Sequence, residues 1–403
     1  MKYNYFLSGL FLILILFTEF IPNLGAVDKI GPQWLFLSVV NGIILLYFLA
    51  KRKVFDIKIF RNSKIFFSYT AFLSICFLSI LGAINTAESF IYISRLLIVF
   101  IGLINITLLI RYIKFEVLLW ILTTLLLVES LAILNQFIDV YDPTKEFGRN
   151  SKMIGVAANI NIAGFSIALL MPFALQLYLS IKNKLKIILF LLLIISSFTC
   201  FLTGSRGAIL SISFVFIAFI IRSYFIERKP KRKFFKTLII ISPFLISIFA
   251  TEILFDTMRY SYRINQIVER GSNSRLKYYE DTFDSFKENP LLGIGIGNWK
   301  INSINKGKRH IEGYIVPYHA HNDFLQILAE TGILGFLSYI SIFLFSIFQF
   351  RNFKNLFNTP LIFCSLVFLL VYLIDANLNF PIARPIMQIK LALVLALLIR
   401  NEK

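Results

Sequence analysis

Charge is scarce in this sequence. Asp, Glu, Lys and Arg together make up 16% of its 403 residues, against roughly 25% in a typical soluble domain. Acid is scarcer still, with 22 acidic residues against 41 basic ones and a formal net charge of +19. An ordinary soluble enzyme is excluded: 58% of the residues are hydrophobic and the mean hydropathy is +0.77. The apolar excess gathers in long Phe-, Leu- and Ile-rich blocks that a water-facing surface cannot accommodate. The three cysteines, Cys76, Cys200 and Cys364, all fall inside such blocks, which argues against a disulfide framework or a cysteine-based metal site. There is no internal repeat and no low-complexity tail.

What is present are blocks of membrane-spanning length. A helix needs about 20 apolar residues to cross the hydrocarbon core, within a range of roughly 17–25. Blocks of that size give about twelve candidate transmembrane helices, at 5–21, 33–50, 65–83, 91–110, 117–138, 153–180, 187–203, 207–221, 237–255, 323–350, 360–376 and 386–399. The expected fold class is therefore an all-α polytopic membrane protein. The first block follows Lys2, but Glu19-Phe20-Ile21-Pro22 offers no small-residue cleavage site, so it reads as an uncleaved anchor.

Lys and Arg set the orientation. With the N-terminus inside, 23 of the 41 basic residues fall on inner loops or inner ends and only six on short outer loops. Both termini are thus expected in the cytoplasm. The runs KRKVFDIKIFRNSK and RSYFIERKPKRKFFK read as topology determinants beside anionic lipid, not as nucleic-acid sites. In this topology the ionisable residues in or beside the spans (Glu19, Glu88, Arg95, Glu129, Glu252, Glu330, Asp375, Arg384 and Lys390) all fall toward the outer side. A charge at mid-membrane costs roughly 2.5–3.5 kcal/mol on insertion scales, so such residues imply partners or a polar cavity open to the outside. For Glu19 and Glu88 the alternative is a place at the headgroup level.

The chain divides accordingly into spans one to nine over 1–255, an extracytoplasmic segment over 256–322, and spans ten to twelve over 323–403. In the middle segment Leu276, Tyr279, Phe283 and Phe286 recur at helical spacing, predicting an amphipathic helix across the bundle mouth. GIGIGNW, with Gly293, Gly295 and Gly297, lacks the spacing of a dinucleotide-binding turn and reads as a flexible loop.

Three features share the outer side. Arg206 lies in TGSRGA, where Gly204, Ser205 and Gly207 suggest a tight turn offering backbone N–H groups to an anion; the alternative is a headgroup anchor. Arg275 begins the amphipathic helix and could equally be a solvated charge. His319 and His321, two of the three histidines, sit in YHAHNDFLQILAETGILG. With Asp323 their alternating spacing could ligate a metal on an extended segment. No fourth ligand is evident and Asp323 is placed to start a helix, so no metal is expected.

The last stretch resembles the signature of the O-antigen ligase and polymerase family. His321-Asn322 is followed by nine residues, Asp323 to Thr331, and then by Gly332-x-x-Gly335. Upstream, SRLKYYEDTFDSFKENPLLGIGIGNW carries an arginine, an aromatic pair, a proline and a glycine-rich loop before an aromatic, as in that family, and TGSRGA completes the set. The motif-bearing part covers approximately 199–340.

The resemblance implies a C-type glycosyltransferase-like bundle in the bacterial inner membrane with its active site on the periplasmic face. The implied donor is a glycan on undecaprenyl diphosphate, used with inversion and without a metal or other cofactor. Arg206 and Arg275 match the family's diphosphate-contacting arginines, and His321 its essential histidine. His319, Asn322, Tyr278, Tyr279 and Arg95 are expected to bind substrate. Arginine stays cationic and meets phosphate oxygens with a planar fork, while a histidine can take the acceptor's proton or only orient it.

The leading expectation is a ligase that moves a preassembled glycan to lipid A–core. The runner-up is an O-antigen or capsule polymerase, whose acceptor is a second lipid-linked glycan. The single large loop late in the chain and the short 139–152 loop favour the ligase. A transporter of lipid-linked glycans is the alternative of a different class. Paired repeats and polar inner halves would point to one, and neither is found here.

Overall fold

Within hydrocarbon every backbone N–H and C=O must be satisfied by the protein itself, which leaves helices or closed barrels. A computed structural model describes residues 2–51, 58–141, 153–254, 272–307, 317–349 and 353–402. Among them there is no strand, and all twelve apolar blocks fall on helices. Among the described residues ten helices are long and apolar enough to cross a membrane. They are α2 (Gly31–Ala50), α4 (Lys64–Leu78, which qualifies together with the 3-10 turn that extends it to Gly82), α5 (Thr86–Leu109), α6 (Phe115–Val140), α7 (Ile160–Ser180), α8 (Leu185–Thr203), α9 (Arg206–Ile226), α10 (Pro230–Leu254), α13 (Asp323–Phe348) and α15 (Pro360–Leu378). The first and last blocks are shorter helices: α1 (Lys2–Leu16), extended by a 3-10 turn to Phe20, and α16 (Pro385–Asn401). Short helices α3 (Lys58–Arg61) and α14 (Phe353–Asn358) lie between spans, and α11 (Ser272–Glu288) and α12 (Trp299–Gly307) belong to the long segment. Most of the 139–152 loop, the start of the 256–322 segment and its stretch 308–316 lie outside the described residues.

The chain forms two compact units. The first comprises residues 1–33, 109–257 and 350–375. Its centre is α7, in which every residue from Ile162 to Tyr178 is buried, as expected of a helix that is apolar all round. Asn159 caps it, its side chain accepting from the N–H groups of Asn161 and Ile162 at 2.9 and 3.2 Å. Some polar groups in the interior are paired: Ser166 donates to Glu129 at 2.8 Å and Ser130 to Ser196 at 2.8 Å. Arg222, 7% exposed, donates through Nε to the Phe357 carbonyl at 2.9 Å and through Nη1 to the Gln176 side chain.

The second unit comprises residues 34–108, 258–349 and 376–403. Here α4 packs along α13, with the Phe72 and Tyr339 rings 5.0 Å apart. Asn105 donates to the Asn41 carbonyl at 3.0 Å, tying α5 to α2. In α16 every residue from Pro385 to Ile399 is buried.

The expectation of a flexible glycine loop is corrected here. Residues 293–299 are all buried, and the loop is held at both of its faces. Ile294 donates to the Ala329 carbonyl at 3.0 Å and its own carbonyl accepts from Ile84 at 3.3 Å. Ile296 N–H reaches the Ser79 hydroxyl at 3.1 Å, and Trp299 N–H reaches Glu330 at 3.0 Å. Gly293, Gly295 and Gly297 all have positive φ, and a Cβ on Gly293 would collide with the backbone of α13. The glycines permit backbone contact while Ile294 and Ile296, 3% and 0% exposed, plug the interior. Composition alone reads as mobility what packing makes rigid.

Candidate functional site

The His-Asn-x9-Gly-x-x-Gly motif has a local structural meaning. His321 sits in the left-handed region at φ 57°, a conformation that non-glycine residues adopt rarely and that clusters at functional sites. It turns the chain into α13, whose N-cap is Asn322, its side chain accepting from Leu325 N–H at 3.0 Å. At Gly332 the helix breaks, with φ 64° and ψ −167°. There Ile333 N–H is satisfied by the Pro290 carbonyl at 2.9 Å, and a Cβ on Gly332 would meet the backbone of Leu291 and Leu292. At Gly335 a Cβ would strike the Thr331 side chain. The motif thus presents a histidine ahead of a capped half-helix and makes room for the glycine-rich loop behind it.

Around His321 the second unit gathers a run of rings. Tyr278, from α11, lies nearly parallel to His321 at 6.4 Å. His321 meets the edge of Phe380 at 5.2 Å and 73°, and His319 stacks flat on the same Phe380 at 4.2 Å and 14°. The Arg384 guanidinium lies 5.0 Å from the Phe380 ring centre. Beneath this run Trp299, Ala320 and Ala329 form a buried cluster against Tyr278. The Trp299 indole N–H donates to Thr282 at 2.8 Å, and Gln326 accepts from Ala320 N–H at 3.2 Å while donating to Glu330 at 3.2 Å.

Burial, reinforced by the nearby Arg275 guanidinium, lowers the His321 pKa to about 4. Burial first, then Arg384, His321 and Lys300, lowers that of His319 to about 3, with a hydrogen bond to Gln326 acting the other way. Both imidazoles are therefore neutral near pH 7. Their Nδ1 atoms are buried without a hydrogen-bond partner among the described residues. Neutral imidazoles beside arginines, each with an unused ring nitrogen, suit a site that accepts a proton next to an anion.

Of the residues expected from sequence, Arg275, Tyr278, His319 and His321 come together in the second unit. Asn322 is adjacent, but its side chain serves as the helix cap and donates toward Asn377 at 3.4 Å. Tyr279 is half-buried and takes no part in the ring run. The apolar stripe of α11 is not its packing face: Leu276 and Phe283 are 56% and 48% exposed, while Thr282 and Ser285 are buried. Those two hydroxyls accept hydrogen bonds from Trp299 and Asn302, so polar pairing decides which side of α11 turns inward. Arg95 lies on α5 with its guanidinium 5.8 Å from the Trp34 ring. Arg206 belongs to the first unit, exposed at the start of α9 after left-handed Gly204 at φ 62°. Among the described residues no three His, Cys, Asp or Glu side chains converge to hold a metal; Asp323 instead accepts from Ile382 N–H at 2.9 Å.

Phe380 was missed from sequence, and Arg384 was noted only as a charge near a span. The signal was the pair of prolines within NFPIARP, Pro381 and Pro385, which mark a fixed turn.

Residues 190–340 match the family model described as O-antigen ligase. The match runs from α8 into α13 and takes in Arg206, Arg275, His319, His321, Asn322 and the motif glycines, so the resemblance holds over the stretch that carries it. The chain is an all-helical polytopic membrane protein, and the stretch 190–340 is what is similar to the O-antigen ligase family. No curated protein matches it.

Proposed function

We propose that this protein is an O-antigen ligase-type glycosyltransferase, transferring a preassembled glycan from undecaprenyl diphosphate to lipid A–core on the periplasmic face. The observation that carries the reading is His321: a neutral imidazole held at positive φ ahead of a capped half-helix, with the charge of Arg275 bearing on it. Both residues fall within the matched stretch.

In the proposed reaction an acceptor hydroxyl attacks the anomeric carbon of the donor's first sugar. The new C–O bond forms as the bond from that carbon to the diphosphate breaks, with inversion. The hydroxyl proton passes to His321, and the departing undecaprenyl diphosphate takes the electron pair. Arg275 stabilises the charge that develops on the leaving group, the role a divalent ion plays elsewhere. General base catalysis of this kind contributes typically about 10²–10⁴-fold. Donor and acceptor are both held at the membrane surface, which makes the encounter effectively intramolecular. The basic loops favour cytoplasmic termini, and with them an extracytoplasmic site.

The test is a gel of surface glycans from a strain lacking the gene, beside the complemented strain. The expected result is bare core with full-length glycan stranded on the carrier lipid. Core carrying a single repeat unit would instead identify a polymerase and overturn the ligase reading. Glycan transfer by the purified protein in detergent would separate either enzyme from a transporter.

A further inference from the structure

The glycine loop fixes the level of His321 against the membrane. Span α4, with its 3-10 turn, ends at Gly82 and span α5 begins at Thr86, so the membrane boundary at this end falls between them. From that connection Ile84 N–H donates to the Ile294 carbonyl at 3.3 Å, and Ile294 N–H donates to the Ala329 carbonyl at 3.0 Å. Ala329 lies about two turns into α13, so the start of that helix stands roughly 9 Å beyond the boundary. His321 precedes those turns. From Glu330 to Phe348 the helix rises about 28 Å, close to the roughly 30 Å of hydrocarbon. Over that lower part its exposed residues are Leu334, Leu337, Leu344 and Phe348, all apolar and suited to lipid.

Helix α11 covers the step between His321 and the boundary. At its upper end the Tyr278 ring lies 6.4 Å from His321, and the Arg275 charge bears on the same imidazole. Just past its lower end the Pro290 carbonyl accepts from Ile333 N–H at 2.9 Å, and the backbone of Leu291 lies against Gly332. With Thr282 and Ser285 turned inward, the apolar stripe faces out: Leu276 and Phe283 are exposed, Tyr279 and Phe286 partly buried. The Phe283 and Phe286 rings are 6.0 Å apart, and Leu291 continues the stripe at 64% exposure. Charges flank it, for Lys287 stands 4.8 Å from the Phe283 ring centre and pairs with Asp284 at 3.2 Å. Such a face suits neither a helix sunk in hydrocarbon nor one surrounded by water. One end of the stripe meets the lipid-facing side of α13 near Leu334, and the other ends at Arg275.

We propose that this stripe is a track for the first isoprene units of the donor's polyprenyl tail, leading it from the bilayer up to Arg275 and His321. The proposal rests on the glycosyl-transfer reading above and names the part of the donor that α11 recognises. A diphosphate raised to His321 draws the head of its tail out of hydrocarbon, and exposing that apolar surface to water is unfavourable in proportion to its area. The outward face of α11 covers it.

The experiment measures glycan transfer by the purified full chain in detergent, using donors that carry the same glycan diphosphate on tails of one, four or eleven isoprene units. It compares wild type with the double variant Phe283→Ser, Leu291→Ser and with the control Leu46→Ser, an exposed apolar residue of α2. For wild type and the control, donor KM is expected to fall steeply from one unit to four and little from four to eleven. The double variant should raise KM about tenfold or more for the longer donors, the size expected from uncovering two large apolar side chains, and leave the one-unit donor unchanged. Unchanged KM for the longer donors would overturn the proposal. So would an equal rise for all three donors, which marks α11 as a brace for the site, or a rise confined to the acceptor KM, which gives the track to the acceptor lipid. Failure of wild type to transfer from any donor would overturn the glycosyl-transfer reading instead.

Discussion

Each unit sets an arginine against a phenylalanine, and the two pairs differ in everything else. In the first unit Arg222 lies 4.8 Å from the Phe363 ring, is 7% exposed, and spends its donors on the Phe357 carbonyl and the Gln176 amide. In the second, Arg384 lies 5.0 Å from the Phe380 ring, is partly buried, and shares that ring with two histidines. The first arrangement resembles a rivet: a desolvated cation matched to fixed neutral acceptors, which joins α7, α9 and the segment before α15. The second belongs to a group whose imidazoles keep Nδ1 atoms without partners among the described residues. A cation against an aromatic ring is therefore no sign of function by itself. What matters is the company the pair keeps, which in the second unit is two imidazoles.

The sharpest way to break this comparison is to remove the polar groups of the second unit. His321→Ala and Arg275→Ala are each expected to lower glycan transfer by about a hundredfold or more, with membrane insertion and melting temperature unchanged. Near-wild-type transfer by either purified variant would remove the site from the second unit. Gly332→Ala should act on folding instead. Its positive φ and the backbone of Leu291 and Leu292 leave no room for a methyl group, and overpacking costs about 1–3 kcal/mol. An unchanged melting temperature in detergent would show that the helix break is dispensable.

Arg222→Gln should cost about 1.5–3 kcal/mol of stability through its lost charged hydrogen bonds, while donor KM stays at the wild-type value. A raised KM with unchanged melting would turn the rivet into a binding residue and collapse the contrast between the units. The pH profile sharpens it from the other side. Both histidines have folded pKa values below the ordinary 6.5, about 4 for His321 and about 3 for His319. Between pH 6.5 and these values the unfolded chain binds protons that the folded chain refuses, so stability present above pH 6.5 declines as the pH falls through this window. The acid limb of kcat/KM should lie near pH 4, and that of kcat higher, because a bound diphosphate offsets the Arg275 charge. A kcat/KM limb near 6.5 would show His321 to be solvated in the free enzyme. The smallest expected effect is none: a strong chelator should leave transfer unchanged, and loss restored by a divalent ion would revive His319, His321 and Asp323 as ligands.

Much of this was legible in the sequence. Long Phe-, Leu- and Ile-rich blocks have one way to bury their backbone in lipid, so the helices and their approximate bounds followed from composition and length. The charge asymmetry of the loops supported an orientation, and the motif drew attention to His321, Arg275 and Arg206. One reading did not transfer: glycines 293, 295 and 297 looked like slack and are packing contacts. Others were left for packing to decide. In α11 the hydroxyls of Thr282 and Ser285 found partners while Leu276 and Phe283 stayed exposed. Glu330, expected to face a partner or a polar cavity, binds the Trp299 N–H and Gln326.

Local chemistry in the sequence by itself determined the all-helical membrane class, the capped turn at His321-Asn322, and the pairing of a basic, arginine-bearing segment with a histidine motif. These depend on neighbours within a turn or two of chain, where periodicity, capping and left-handed positions are written directly. Only the tertiary structure decided that Phe380 and Arg384 stand beside His319, that Arg222 is consumed by its surroundings, and which side of α11 faces inward. Those outcomes depend on partners 17 to 135 residues away in the chain, and burial free energy depends on which surfaces meet, a quantity no single helix carries in its own spacing.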